Sequence, residues 1–299
     1  MLDIVIIGSG PAGITAAIYA KRANLNVAVV EKEYLGTGQI AESSRVDNYP
    51  GIPGIDGYSL GEKFREHAES LGVEFTEAQA LSLGQKDGIW IIGCDEDITL
   101  ESKAVIYATG CKNRPLGVPG EEKYYGRGLS FCAVCDGAFY KGKRVAVIGG
   151  GDTALDDAMY LSDICEKVYL VHRREFFRGS ASTLEKLKQK ENVEIIVNVR
   201  VEEITGDKKI DGIILDNKTK LNISGLFAAV GMIPQTELLK EFGVLDESNY
   251  VKASEDTKTT VNGLFAAGDV RTKQLRQVVT AAADGANAIY SVMEYLRNI

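Results

Sequence analysis

Ile4-Val5-Ile6-Ile7-Gly8-Ser9-Gly10-Pro11-Ala12-Gly13 is the stretch on which the fold turns. A short β-branched run is what a strand buried on both faces uses. It stops at a GxGxxG pattern and passes into small and apolar residues at helical spacing through Ala20. The glycines permit a tight turn and let a pyrophosphate approach the free N–H groups of a helix N-terminus. A second strand pattern over 27–30 ends at Glu31, 18 residues beyond Gly13. A carboxylate placed there accepts hydrogen bonds from ribose hydroxyls. The glycines alone are a weak signal; strand, glycines, helix, strand and acid in this order predict a dinucleotide-binding unit.

The pattern recurs. Val145-Ala146-Val147-Ile148 leads into Gly149-Gly150-Gly151-Asp152-Thr153-Ala154, and a strand pattern over 168–171 ends in His172-Arg173-Arg174. Ala154 to His172 is again 18 residues. Where the first copy offers a carboxylate, the second offers a basic cluster, with Arg178 four residues beyond Arg174. A carboxylate favours a free ribose 2′-OH and a basic cluster a 2′-phosphate, so the first site reads as FAD and the second as NADPH.

Between the copies lies Cys132-Ala133-Val134-Cys135-Asp136, whose second cysteine precedes Gly149 by 14 residues. A close dithiol beside a carboxylate, wired between two nucleotide sites, points to electron transfer among a nicotinamide, a flavin and a disulfide. A thiolate is the attacking species in disulfide exchange, and CxxC geometry can lower one cysteine's pKa. Asp136 is the candidate proton donor and acceptor, although Asp-Gly is also an ordinary turn signal.

The 299 residues suffice for two domains, and 45% hydrophobic with 25% charged residues is an ordinary globular composition. A net charge of -8 argues against nucleic acid, and no apolar run is long enough for a membrane span. The strand pattern begins at Leu2, which leaves no room for a signal peptide. Five cysteines (94, 111, 132, 135 and 165) are too few for a disulfide-stapled secreted fold, so a reducing cytoplasm is expected. A single CxxC with no second Cys or His pair speaks against zinc. Cys94 and Cys165 read as apolar filler; Cys111 falls near the expected flavin with no assigned role.

Residues 105–110 and 226–231 are similar strand-to-glycine segments, each closing one unit, and 264–269 reads as a return to the first. The fold class is therefore α/β, two Rossmann-like dinucleotide-binding domains with the NADPH domain inserted into a discontinuous FAD domain. The expected boundaries are 1–115 and 243–299 for the FAD domain and 116–242 for the NADPH domain, which carries the dithiol. The dithiol and the nicotinamide site share one domain and both need the same flavin. The inserted domain is thus expected to swing between two orientations, hinged near 112–120 and 243–248.

Over essentially its whole length the chain resembles the low-molecular-weight, bacterial-type thioredoxin reductases. The resemblance rests on 8–13, Gly36-Thr37-Gly38-Gln39, Asn48-Tyr49-Pro50-Gly51, Ala108-Thr109-Gly110, 132–136, 149–154, 172–174, Ala267-Gly268-Asp269 and Arg276-Gln277, in that order. It implies FAD on Gly8, Gly10, Pro11, Ala12 and Gly13, with Glu31 on the adenosine ribose. It further implies Gly38, Gln39, Asn48, Thr109, Gly110, Gly268, Asp269, Arg276 and Gln277 around the flavin. NADPH would lie on Gly149, Gly151, Asp152, Thr153 and Ala154, with His172, Arg173, Arg174 and Arg178 toward the 2′-phosphate. It implies Cys135 facing the flavin, Cys132 attacking the disulfide of thioredoxin, and a homodimer. Departures are Val134 where Thr is common, Asp156-Asp157 where a Glu pair is frequent, and Gly179 for a common Ala, the last expected to matter little.

Three rivals make different demands. A reductase for another dithiol carrier would keep the same machinery, and one using NADH would lack the arginines. Ferredoxin-linked relatives would lack the dithiol or carry an eroded nicotinamide site. A flavin-binding sensor would not need the intact dithiol, acid and second cradle together.

Overall fold

The computed structural model describes residues 1–32, 37–43 and 45–299, so Gly36 of the quoted motifs lies outside the described residues. The chain divides into two compact units, Met1–Lys112 with Ile233–Ile299, and Asn113–Met232.

The first unit opens with β1 (Leu2–Ile7), α1 (Pro11–Arg22), β2 (Val27–Glu31), α2 (Gly57–Ser70), β3 (Glu74–Glu77), β4 (Ala80–Lys86), β5 (Ile89–Cys94) and β6 (Thr99–Tyr107). The order across the sheet is β3-β2-β1-β6-β5-β4. The β1–β2, β2–β3 and β1–β6 pairs are parallel, and β5 joins β6 antiparallel through Thr99–Ser102. The β1 residues Ile4, Val5 and Ile6 are fully buried, as a strand covered on both faces must be.

The chain leaves through β7 (Cys111–Asn113) and enters the second unit. There β8 (Leu129–Ser130), α3 (Ala133–Asp136), β9 (Arg144–Ile148), α4 (Asp152–Ser162), β10 (Lys167–His172), α5 (Ala181–Lys188) and β11 (Val193–Val197) precede an antiparallel flap. The flap is β12 (Val201–Thr205), β13 (Gly212–Leu215) and β14 (Lys220–Asn222), and β15 (Gly225–Ala228) follows. The main sheet, β11-β10-β9-β15-β8, is parallel throughout. Return is through β16 (Met232–Pro234), which pairs with β7, to β17 (Leu264–Ala266) and α6 (Val278–Leu296). The β17 strand pairs with 105–107 of β6, on the edge β5 has vacated.

The second crossing falls ten residues before the position read from the sequence. The helical turn Glu237–Phe242 belongs to the first unit because Leu239 and Val244 are buried in its core, where Phe242 packs against the fully buried Trp90. The 243–248 stretch is thus internal to that unit and holds no crossing.

Candidate active site

In the first unit, Gly8 has φ +103°, and a Cβ there would lie 2.6 Å from the Ala108 carbonyl oxygen, so only glycine lets β6 end this close. A Cβ on Gly13 would fall 1.9 Å from the Gly8 carbonyl oxygen, which brings α1 hard against the loop. Gly10, by contrast, faces nothing nearer than 3.8 Å and is the N-cap of α1 with no side-chain cap. Pro11 opens the helix, and Ala12 and Gly13 are buried in its first turn. The result is an uncapped helix N-terminus behind an open glycine, a cradle suited to an anion.

Glu31, Gly38 and Gly268 come against that loop, while Asn48 pairs with Gln277 and Arg276 with Asp269. Glu31, at the end of β2, accepts through Oε2 from the backbone N–H and the hydroxyl of Ser9, both at 3.0 Å. Gly38 comes against Gly10, and Gln39 lies on the helical turn Gly38–Glu42. Thr109 donates to the Gln235 carbonyl at 2.7 Å, and Gly110 turns the chain at φ +67°. Gly268 presses on Ala12, so closely that a Cβ would lie 2.9 Å from the Ala12 methyl. Its N–H donates to Asp284 Oδ2, which also binds the buried Arg271 and Lys273. Asn48 Nδ2 donates to Gln277 Oε1 at 2.8 Å, joining segments 229 residues apart. Arg276 donates from Nε to the Asp269 carbonyl at 3.2 Å. Asp269 itself has a buried Oδ1 with no hydrogen-bond partner among the described residues, and burial pushes its pKa up to about 6. An orphaned buried carboxylate oxygen beside a glycine cradle fits a polyhydroxylated dinucleotide such as FAD, which brings hydroxyl donors.

The second unit repeats the plan with different chemistry. A Cβ on Gly149 would lie 2.4 Å from the Ala229 carbonyl oxygen, the counterpart of Gly8 against Ala108. Gly151 caps α4 with no side-chain cap and has open space before it, while Thr153 is exposed and Ala154 buried. The arginine loop is tied to this cradle: the N–H groups of Arg178 and Gly179 donate to the Gly150 carbonyl at 2.7 and 3.2 Å. Asp152 accepts from the Ser180 N–H at 2.7 Å, so its side chain pins the same loop. Arg173, Arg174 and Arg178 are exposed.

Two expectations change here. His172 does not add to the cationic cluster: it is buried against Phe177, and burial, with the charges of Arg174, Arg173 and Arg178, holds its pKa below the usual range and favours the neutral ring. Gly179 is not interchangeable with Ala, because a Cβ there would lie 2.7 Å from Leu155 Cδ1 and 2.8 Å from Asp152 N. The sequence carried no signal for that crowding.

Cys132 and Cys135 form a disulfide with Cα atoms 5.3 Å apart. Cys132 is the N-cap of α3, and its Sγ accepts from the Cys135 N–H at 3.2 Å. Val134 projects outward, 62% exposed, while a Cβ on Gly137 would meet Tyr160 and Leu161, so the turn is seated on α4. Burial raises the pKa of Asp136 despite a 2.6 Å hydrogen bond from Ser130 Oγ. Ser130 also accepts from the Cys132 N–H at 3.1 Å, linking acid to dithiol; sequence reading had not singled it out. Cys94, Cys111 and Cys165 are free and buried.

Residues 2–285 match the family model for pyridine nucleotide-disulphide oxidoreductases. The chain is 38% identical to the thioredoxin reductase of Bacillus subtilis, over 99% of its own length and 95% of the relative's. It is 40% identical to that of Helicobacter pylori over the full length of both. The crystal structure of thioredoxin reductase from Streptococcus pyogenes superposes with a TM-score of 0.94 at 39% identity, covering 100% of this chain and 99% of that one.

Proposed function

The chain belongs to the pyridine nucleotide-disulphide oxidoreductase family, and on that premise we propose that it is an NADPH-dependent thioredoxin reductase. The observation that carries the reading is one chain holding a formed Cys132–Cys135 disulfide and two open glycine cradles of opposite ribose chemistry. FAD on the first cradle and NADPH on the second would supply hydride acceptance and donation, the flavin passing an electron pair to the disulfide.

The residues of the chain then have distinct tasks. Glu31 and the orphaned Asp269 carboxylate accept from FAD hydroxyls, and the N-terminus of α1 meets the pyrophosphate. Arg173, Arg174 and Arg178 take the 2′-phosphate that separates NADPH from NADH. Reduction of the Cys132–Cys135 bond yields one thiolate and one thiol. The Cys132 thiolate, steadied by the Cys135 N–H, attacks the thioredoxin disulfide and expels one of its sulfurs. Cys135 then attacks Cys132 in the mixed disulfide, releasing the second thioredoxin sulfur and restoring the starting bond. Asp136, whose pKa burial raises, protonates the first departing thiolate and, once deprotonated, takes up the Cys135 thiol proton for the second step. The inserted domain swings between the half-reactions, giving the nicotinamide and the dithiol the flavin in turn, and the protein works as a cytoplasmic homodimer. Supporting the compartment, the remaining three cysteines are unbridged, and no described helix is long and apolar enough to cross a membrane.

Anaerobic titration tests this. NADPH should bleach the flavin absorbance of the purified protein, and oxidised thioredoxin should restore it. Cys135→Ser should bleach but no longer pass electrons to thioredoxin. Bleaching without recovery in the unaltered protein would reject thioredoxin as acceptor, and no bleaching would reject NADPH as donor.

A further inference from the structure

Cys111 is a buried nucleophile that the mechanism above does not use. Gly110 turns the chain in the left-handed region, and Cys111, which opens β7, is buried. Its S–H donates to the Asp269 carbonyl at 2.9 Å. That carbonyl also accepts from Arg276 Nε, whose guanidinium lies 4.2 Å from the Tyr250 ring centre, and the Tyr250 hydroxyl borders the same thiol. Burial pushes the Cys111 thiol up to about 12, so it stays protonated, remains a donor and does not enter disulfide exchange.

The loop it touches is held at both ends. Asp284 takes the Gly268 N–H on one side, and Cys111 with Arg276 takes the Asp269 carbonyl on the other. Between these anchors sits the Asp269 carboxylate with its unpartnered buried oxygen. We propose that Cys111 is a positioning residue for FAD: its hydrogen bond fixes the Asp269 peptide so that this carboxylate oxygen meets a hydroxyl of the cofactor. The role rests on the FAD reading of the first unit, and it acts through Asp269 with no contact to the reacting atoms.

The test compares Cys111→Ser, which keeps a donor, with Cys111→Val and Cys111→Ala, which do not. FAD release from each holoenzyme is followed by the rise of free-flavin fluorescence on dilution, with the visible flavin spectrum recorded beforehand. Cys111→Val and Cys111→Ala should release FAD about fivefold more readily, the scale of one ordinary hydrogen bond, with a displaced flavin band. Cys111→Ser should hold FAD and the spectrum near those of the unaltered protein. Equal retention and identical spectra in all four proteins would overturn the proposal. So would Cys111→Ser behaving like Cys111→Ala, which would assign the site to packing. A reference protein that takes up no FAD would instead remove the cofactor reading and this role with it. Val is included because it nearly conserves volume, so a failure of Cys111→Ala to fold leaves the comparison intact.

Discussion

The two glycine-rich units share a backbone plan and differ in what they place around it. In both, the first glycine admits a carbonyl from the neighbouring strand end, Ala108 to Gly8 and Ala229 to Gly149, and the helix N-cap is a bare glycine. Corresponding hydrogen bonds recur, from Gly8 N to Val30 O at 2.9 Å and from Gly149 N to Val171 O at 3.1 Å. At the end of the second strand, however, one unit carries Glu31 bonded to the glycine loop and the other a buried His172 beside exposed arginines. The lesson is that the loop fixes where a pyrophosphate can sit, while residues 18 positions on decide which nucleotide follows it.

Only the second unit also carries the dithiol and its acid, so the largest asymmetry to break is chemical. Asp136→Asn leaves both cradles intact but removes the ionisable proton carrier. Thioredoxin reduction should fall by about 10²–10⁴, the usual range for losing a general acid, while bleaching of the flavin by NADPH persists. Because burial raises the Asp136 pKa, the protonated donor survives to higher pH than for a free carboxyl. The alkaline limb of kcat against pH should disappear in the Asn variant; an unchanged profile would dismiss Asp136 as the acid.

The third small residue of each motif offers a second contrast. Gly13→Ala would put a methyl 1.9 Å from the Gly8 carbonyl, whereas the second unit already tolerates a methyl at Ala154. Gly13→Ala should cost several kcal/mol and strip FAD from the first cradle, by analogy with overpacked sites. Ala154→Gly should cost only about 1 kcal/mol, the helix penalty of glycine. Thermal melts and flavin content of the two variants provide the check; equal costs would mean that the helices are seated alike.

Converting the nucleotide preference should have a smaller effect. Replacing Arg173 and Arg174 together by Ala should raise KM for NADPH by about 10–100-fold, as expected for losing charge-assisted bonds to a phosphate. KM for NADH should change little. A parallel loss with both nucleotides would move the arginines away from the 2′-phosphate.

Much of this was legible because each feature sits at a fixed sequence offset: glycines after a β-branched run, an acid or a base at the end of the next strand, a CxxC between the copies. What escaped depends on neighbours distant in the chain. Gly179 matters because Leu155 and Asp152 crowd it, and the second crossing was misplaced because Leu239 and Val244 are claimed by the core around Trp90. Cys111 acquires a partner 158 residues away that no local pattern announces. The Asp156-Asp157 pair was visible as a substitution for a Glu pair, but not its electrostatics, which depend on how deeply α4 is seated.

That pair gives the smallest and most local test of how the units differ. The residue of α1 matching Asp157 is Ala16, fully buried and uncharged. Burial first, and then the Asp156 charge, push the Asp157 pKa up to about 7 from its ordinary 3.8. The sign follows from proton binding: between pH 4 and 7 the folded chain holds a proton that the unfolded chain has released, so stability declines as pH rises through that window. Below it the carboxyl is neutral in both states and costs nothing; above it the penalty is complete and constant. Asp157→Asn should therefore match the parent Tm near pH 4 and exceed it by several degrees at pH 8, where the unfavourable ionisation of the buried carboxyl is in force. The gap should open between those values. A gap already present at pH 4, or none at pH 8, would show that Asp157 ionises in the folded protein as it does in the unfolded chain, and that α4 is as indifferent to pH at this position as α1.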